Sequence, residues 1–398
     1  MARTIAITRT LYALGLLGLI QTWGRTALDG TLVHLFHALH GENPYILPGT
    51  TAKLQTSFTG IYWPVDYLLD VLVVFFWEAV DGSHPTTSII GIYFLGQLFP
   101  LVIGFYQDGL RARDDSLTSV LKPTLWLLLF QLTALAGTGW IWALWYCTWA
   151  PTLTGSLSRE ALQAASIISP RMTTLILPSV FLGYVVPAVL MALPSPAVTT
   201  NSFQQLALVV WNMYPLLVAM IFAGLGVLAR RIPGPPIDRR AAPRPKHLQS
   251  VRWLNLISIS LGTTLHISIS AVSITAMLFP ETFQAAYAQA FNPAPLVIPP
   301  MSLTRGSTVG SGVRSFIMWD QICGYPVVLL VMLLQLHAAM IAAGTTPRWT
   351  RSIAAILLCS LFAGPGSTYL AMSWLRDEII FGRDSRDADG EKMRGKRS

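Results

Sequence analysis

The chain has 398 residues, 53% of them apolar, and carries 27 Lys or Arg against 19 Asp or Glu, a formal net charge of +8. Of these charges 13 fall in Arg376–Ser398 and 8 in Ala229–Arg252, which leaves too few elsewhere to solvate a water-soluble domain of this size. Soluble enzymes and nucleic-acid binders are excluded, and so are secreted disulfide scaffolds, because Cys147, Cys323 and Cys359 are odd in number and far apart.

In chain order, apolar runs bounded by polar or Pro/Gly-rich segments predict spans at 8–25, 61–80, 88–107, 123–147, 173–193, 204–228, 253–279, 315–343 and 352–372. Each approaches the ~20 residues that cross about 30 Å of hydrocarbon. The predicted fold is an all-α polytopic transmembrane helix bundle of about eight or nine spans, an integral membrane domain over 1–375 followed by a polar charged tail over 376–398. The first run follows Arg3 and Arg9 and lacks a small-x-small cleavage site, so it reads as a retained span rather than a signal peptide. The loop after the sixth run carries Arg230, Arg231, Arg239, Arg240, Arg244, Lys246 and Arg252 against Asp238 alone, which places it in the cytosol and, by alternation, the N-terminus with it. Nine spans put the C-terminal tail in the lumen; eight or ten put it in the cytosol, as its ending Arg394-Gly395-Lys396-Arg397-Ser398 favours. Arg25–Gly60 and Pro280–Arg314 are long enough to act as lids. Ser156–Ile168 reads as an interfacial helix beginning near Ser158 and Glu160, and no internal repeat is visible.

Ionisable groups inside a bilayer are costly and mark function. The second run holds Asp66, Asp70 and Glu78 without one Lys or Arg. Asp66 and Asp70, four apart, share a helix face at about 40° from each other. Two carboxylates that close in a low dielectric do not both ionise cheaply, so one is expected to carry a proton and to serve as a Brønsted acid. The eighth run supplies Trp319-Asp320-Gln321 with Pro326 downstream, and Asp320 is expected to lie at the same depth as Asp66 in a shared pocket. Glu78 and Asp108, near the ends of their runs, are expected to be solvated. Asp114-Asp115 lacks the third carboxylate of a magnesium–diphosphate site. His34, His37 and His40 drift around a helix and read as interfacial packing rather than a metal site, and His266 and His337 as interhelical hydrogen bonds. The chain holds 13 Trp, 12 Tyr and 17 Phe. Trp140-Ile141-Trp142-Ala143-Leu144-Trp145-Tyr146 fits an interfacial belt, whereas Tyr62, Trp63 and Tyr67 beside Asp66, and Trp319 beside Asp320, are placed to stabilise a cation.

The stretch from Tyr62-Trp63-Pro64-Val65-Asp66 through Trp77-Glu78, the segment Gly104-Phe105-Tyr106-Gln107-Asp108-Gly109-Leu110-Arg111 and the Trp319-Asp320 helix resemble the fungal membrane-bound meroterpenoid terpene cyclases of the ascochlorin, ascofuranone and macrophorin type. The likeness in length and span layout covers most of the chain, which is too long for the seven-helix cyclases of similar pathways. The resemblance implies cyclisation of a farnesyl chain attached to an aromatic or polyketide head, begun by protonation of a terminal epoxide or olefin, with no metal, no cofactor and no loss of diphosphate. The implied partners are a hydrophobic prenylated substrate, the lipid bilayer of the endoplasmic reticulum, and a pathway prenyltransferase and epoxidase; no nucleic acid is involved. By role, Asp66 or Asp70 would donate the starting proton with the other tuning it, and Asp320 would be the second acid or the final base. Tyr62, Trp63, Tyr67 and Trp319 would line the cation path. The competing reading is a proton-coupled transporter of a secondary metabolite using the same carboxylates, against which the missing repeat symmetry stands.

Overall fold

The computed structural model describes residues 2–111, 117–154, 158–231, 244–303, 306 and 308–395. Asp114 and Asp115, Ser156, the middle of the basic loop and the last three residues lie outside them. Six helical segments are long and apolar enough to cross a membrane: Ile5–Leu28, Pro85–Leu110, Pro170–Met191, Tyr214–Arg231, His247–Leu278 and Val309–Ala342. They match six of the predicted runs, the sixth run being divided near Met213 into a short helix and a longer one. The helices used below are α1 (Ala2–Leu19), α2 (Thr31–His40), α3 (Trp63–Val80), α4 (Pro85–Leu110), α5 (Leu121–Thr133), α6 (Leu135–Trp149) and α7 (Arg159–Ser166). They continue with α8 (Pro170–Val180), α9 (Asn201–Asn212), α10 (Tyr214–Arg231), α11 (Arg244–Leu278), α12 (Val309–Ala342), α13 (Trp349–Ala363) and α14 (Pro365–Gly395). The interfacial helix expected near Ser158 is α7, whose first turn is capped by the Ser158 hydroxyl accepting from the Ala161 N–H.

The other three predicted spans take different forms. The run 61–80 is α3, 18 residues with three acids, packed against α2, α4, α9 and α12. The run 123–147 is two helices of 13 and 15 residues, each about 20 Å long and too short to cross. They fold back on each other: Trp126 meets Trp145, Phe130 meets Trp142, and the Thr133 and Thr138 hydroxyls bond at the tip. The turn is Ala134, at φ 68° and ψ 152°. The run 352–372 is a second hairpin, α13 and the first turns of α14, turning at Gly364 with φ 85° and ψ 157°.

Both hairpins open toward the same end of the bundle. Alongside α12, the first runs from Ala136 beside Asp320 to Tyr146 beside Gln335. The second begins with Ser352 on His337, reaches its tip beside Gln97 in the middle of α4, and returns to Arg376 on Gln335. α1 lies antiparallel to α6, with Gly18 against Ala136 and Gly15 against Trp140, so its N-terminus is at that end too. α12 is the axis of the whole arrangement, the most buried of the six long helices, touching α1, α3, α4, α6 and α14.

At the open end of the hairpins the charged C-terminal segment starts inside the protein. The 376 boundary falls within α14, and Arg376 and Asp377 are buried. Arg111 bridges Asp108 at 2.7 Å and Asp377 at 3.1 Å. Asp108 is therefore not solvated, as its place near a helix end suggested; it is paired. Burial works against ionisation of Asp377, but Arg111 and Arg376 outweigh it and hold this carboxyl below its ordinary value. The expected aromatic belt is likewise divided: Trp142 belongs to the core, its ring 4.8 Å from that of Phe105. Trp145 lies under the Lys122 ammonium at 5.4 Å.

Candidate active site

A polypeptide that turns back inside an apolar bundle leaves helix-end N–H groups without partners, and something must bond them. At the first hairpin that group is Asp320. Its Oδ1 accepts from the Ala136 N–H at 2.7 Å, with the Leu135 N–H as a second donor, so the carboxyl sits on the N-terminus of α6. At the second hairpin it is Gln97, whose Oε1 accepts from Gly366 at 3.1 Å and Ser367 at 3.4 Å while its Nε2 donates to the Gly262 carbonyl.

Asp320 also forms part of the wall of a cavity of about 300 Å³ above the first tip, within the range of small-molecule sites. Trp23, Phe36, Tyr67, Phe75, Phe94 and Phe316 contribute aromatic faces and edges to it, and Leu and Val side chains fill the gaps. The ring of Phe316 is met edge-on by Trp23 at 5.2 Å and by Phe75 at 5.3 Å, so the wall is a connected aromatic shell. Asp320 is the one carboxylate on that wall among the described residues, and the Gln131 amide, which donates to Asn212, is the other strongly polar group. Such a space is apolar and lined by aromatic rings, with a single carboxyl group at its floor among the described residues. Among the described residues no three His, Cys, Asp or Glu side chains converge.

The CtvD domain family matches residues 8–381. The chain belongs to this family. Its curated relatives are named terpene cyclases, which supports terpene cyclase function for this family member. The terpene cyclase ascI of Acremonium egyptiacum is 27% identical over 382 residues, 92% of this chain and 90% of that protein. The terpene cyclase ctvD of Aspergillus terreus is 30% identical over 224 residues, 55% of this chain and 60% of the relative, so that match spans well under two thirds of its partner. The terpene cyclase penA of Penicillium crustosum is 24% identical over 279 residues, 69% and 70% of the two chains. No solved structure matches the chain.

Set in this family member, the predicted residues divide between two places. Asp320 and Tyr67 line the aromatic cavity, the latter with its hydroxyl 3.0 Å from His40 Nε2. Asp66 and Asp70 do not line it: they lie on a different face of α3 from Tyr67, Val71 and Phe75. Both are buried and close enough to repel each other, as their spacing predicted. Their oxygens receive the backbone of the preceding loop, Thr59 N–H to Asp66 Oδ1 at 2.6 Å and Ser57 N–H to Asp70, while Asp70 Oδ1 has no partner among the described residues. The same loop is held by Trp77 Nε1 on the Pro48 carbonyl and by Gln205 on Gln55 and Lys53. The pair thus pins the loop that lies along α3, and the pocket expected to join Asp66 with Asp320 is not formed.

Tyr62 and Trp63 are 62% and 74% exposed, Trp63 stacking on Tyr67 at 5.6 Å, so they stand outside the cavity. Trp319 is buried on the other side of α12, donating to the Pro300 carbonyl beneath the Arg25 guanidinium. Glu78, expected in solvent, is 4% exposed and its Oε2 accepts the Gly310 N–H at 2.5 Å, on the first turn of α12. His266 and His337 make the interhelical bonds expected of them, to Tyr93 and the Leu361 carbonyl and to Ser352. What the sequence reading missed is the aromatic shell itself. Tyr67, Val71 and Phe75 recur at intervals of four on α3, a second face that the acids drew attention away from.

Proposed function

We propose that this terpene cyclase closes rings on a farnesyl chain carried by an aromatic or polyketide head, by protonation of a terminal epoxide or olefin and without metal or loss of diphosphate. The observation that carries the reading is the aromatic-walled cavity with Asp320 at its floor. As the acid, Asp320 gives a proton to the epoxide oxygen or the olefin carbon. The carboxylate left behind faces the N–H groups of α6, which stabilise it, and it stands opposite the cation as that migrates along the chain. Ring faces of Trp23, Phe75 and Phe316 stabilise the cation by ~1–2 kcal/mol each in a dry site. The last cation loses a proton to the same carboxylate, and the balance closes on an isomer of the substrate. Folding of the prenyl chain by the cavity brings reacting carbons together before the proton arrives. Asp66 and Asp70 serve in this reading by fixing the loop over α3.

The enzyme is read as a multi-pass protein of the endoplasmic reticulum. Arg230, Arg231 and Arg252 belong to the end at which both hairpins open, and that excess of positive charge supports a cytosolic side for this end, with the N-terminus and the C-terminal part of α14.

The test incubates membranes containing the protein with a farnesylated phenol and with its terminal epoxide, EDTA present, and looks for a product of unchanged mass by mass spectrometry and NMR. A cyclic isomer that survives EDTA and is lost in Asp320→Asn supports the reading. No isomer from either substrate, or full activity in Asp320→Asn, overturns it.

A further inference from the structure

A second cavity of about 620 Å³ lies on the far side of Asp320, bounded by α4, α11, α12 and α13. A narrow space of about 30 Å³ borders both. It shares Phe94, Phe130, Gln131 and Asp320 with the aromatic cavity and Gln321 and Tyr325 with the larger one. Successive residues of one helix therefore pass from a carboxyl at the first cavity to an amide and a phenol at the second.

The larger cavity is apolar except for a few groups, and their bonding is uneven. Tyr93 and His266 bond to each other at 3.1 Å. Among the described residues, the Tyr325 hydroxyl, on a residue 4% exposed, has no partner, and neither do Gln321 Oε1 or Ser360 Oγ. Pro326, on the same wall, removes the amide that would otherwise hold the Ile322 carbonyl. Buried polar atoms are almost always bonded, because an unmet donor or acceptor forfeits its hydration without return. Three unmet groups around one apolar cavity, two on α12 and one on α13, are a site awaiting oxygen atoms from outside the chain.

We infer that the 620 Å³ cavity holds the head of the substrate as a hydroxylated aromatic ring, with a ring hydroxyl donating to Gln321 Oε1 and accepting from the Tyr325 hydroxyl. The inference rests on the cyclase reading above and adds where each half of the molecule lies. The prenyl chain runs from this cavity past Asp320 into the aromatic one, which directs its terminal epoxide or olefin to the acid. Tyr325 and Gln321 set head-group specificity and take no part in proton transfer.

Two readouts separate this inference from the cyclase reading. The first is binding, measured as thermal stabilisation of the detergent-solubilised protein by a farnesylated resorcinol and by its di-O-methyl ether. The wild type is expected to be stabilised by the resorcinol and much less by the ether, and a Gln321→Leu/Tyr325→Phe double variant to respond alike to both. This arm works whether or not any product forms. The second is turnover: KM for the resorcinol is expected to be at least ~10-fold below that for the ether in the wild type, since a site built for a hydroxyl discriminates strongly against its absence, and the ratio to fall near one in the double variant. Tyr325→Phe alone, which removes an unpaired buried hydroxyl, is expected to melt no lower than the wild type. Equal responses of the wild type to resorcinol and ether, or an unchanged preference in the double variant, overturn the head-group site and leave the cyclase reading standing. Selective binding by the wild type with no product from any substrate would sink the cyclase reading and keep the site.

Discussion

The two hairpins turn in nearly the same backbone conformation, open toward the same end of the bundle and have the same problem of unmet N–H groups at the tip. One is closed by a carboxyl, Asp320, and the other by an amide, Gln97. The amide shows that capping alone requires no charge or titratable proton. A carboxyl at the first tip, facing a shell of aromatic rings, is what capping does not explain and proton-initiated chemistry does. The tips also differ in their turning residue. At φ 85° Gly364 sits where glycine is at ease, and a Cβ there would strike the Gln97 amide, whereas Ala134 holds a similar conformation with a side chain, a strain of about 1–3 kcal/mol. The strained tip is the one at the cavity.

Substitution at the two caps should separate these roles. Asp320→Asn is expected to lower cyclisation per folded molecule by about 10³-fold, within the span of general acid–base effects, while its thermal midpoint stays near that of the wild type because the amide still accepts from α6. A large loss of stability instead would make the two caps alike and Asp320 structural. Gln97→Leu should do the reverse, lowering stability by about 2–3 kcal/mol through the unmet amides of α14 with turnover of the remaining folded protein little changed. Exchanging the turning residues gives a smaller effect. Ala134→Gly should stabilise by about 1 kcal/mol and Gly364→Ala should destabilise by about as much or more, both read from denaturation midpoints. The smallest effect at neutral pH concerns the base of the second hairpin. Because the Asp377 carboxyl is held below its ordinary value in the folded protein, its contribution is complete above about pH 4 and is lost as pH falls through the lowered value. Unfolding followed from pH 6 down to pH 3 should show stability falling at the acid end in the wild type, and less steeply in Asp377→Asn.

Much of the bundle was legible because twenty apolar residues in a row have few alternatives. The hairpins were less so, and for different reasons. Ala134 carries no turn signal, so 123–147 reads as one apolar run; Gly364-Pro365-Gly366 does carry one, and the hydropathy around it masked the break. Sequence spacing placed Asp66 and Asp70 on one buried face, correctly, but which face of α3 meets the cavity depends on α12 and α5, far away along the chain. Glu78 and Asp108 were misjudged because nearness to a helix end suggested water, while Gly310 and Arg376 arrive through tertiary packing and the local partner of Asp108, Arg111 three residues on, is itself buried by that packing.

The bond between Asp320 and Ala136 also sets an order in time. These residues are 184 apart, so at ~5–20 residues per second the ribosome needs roughly 10–40 s to reach the cap after α6 has emerged. Until then the tip of the first hairpin has no acceptor for its N–H groups in the apolar phase, and the chamber it floors has no acid. The chain thus acquires its proposed acid and the keystone of its first hairpin in a single late event, and a nascent chain truncated before α12 can hold neither.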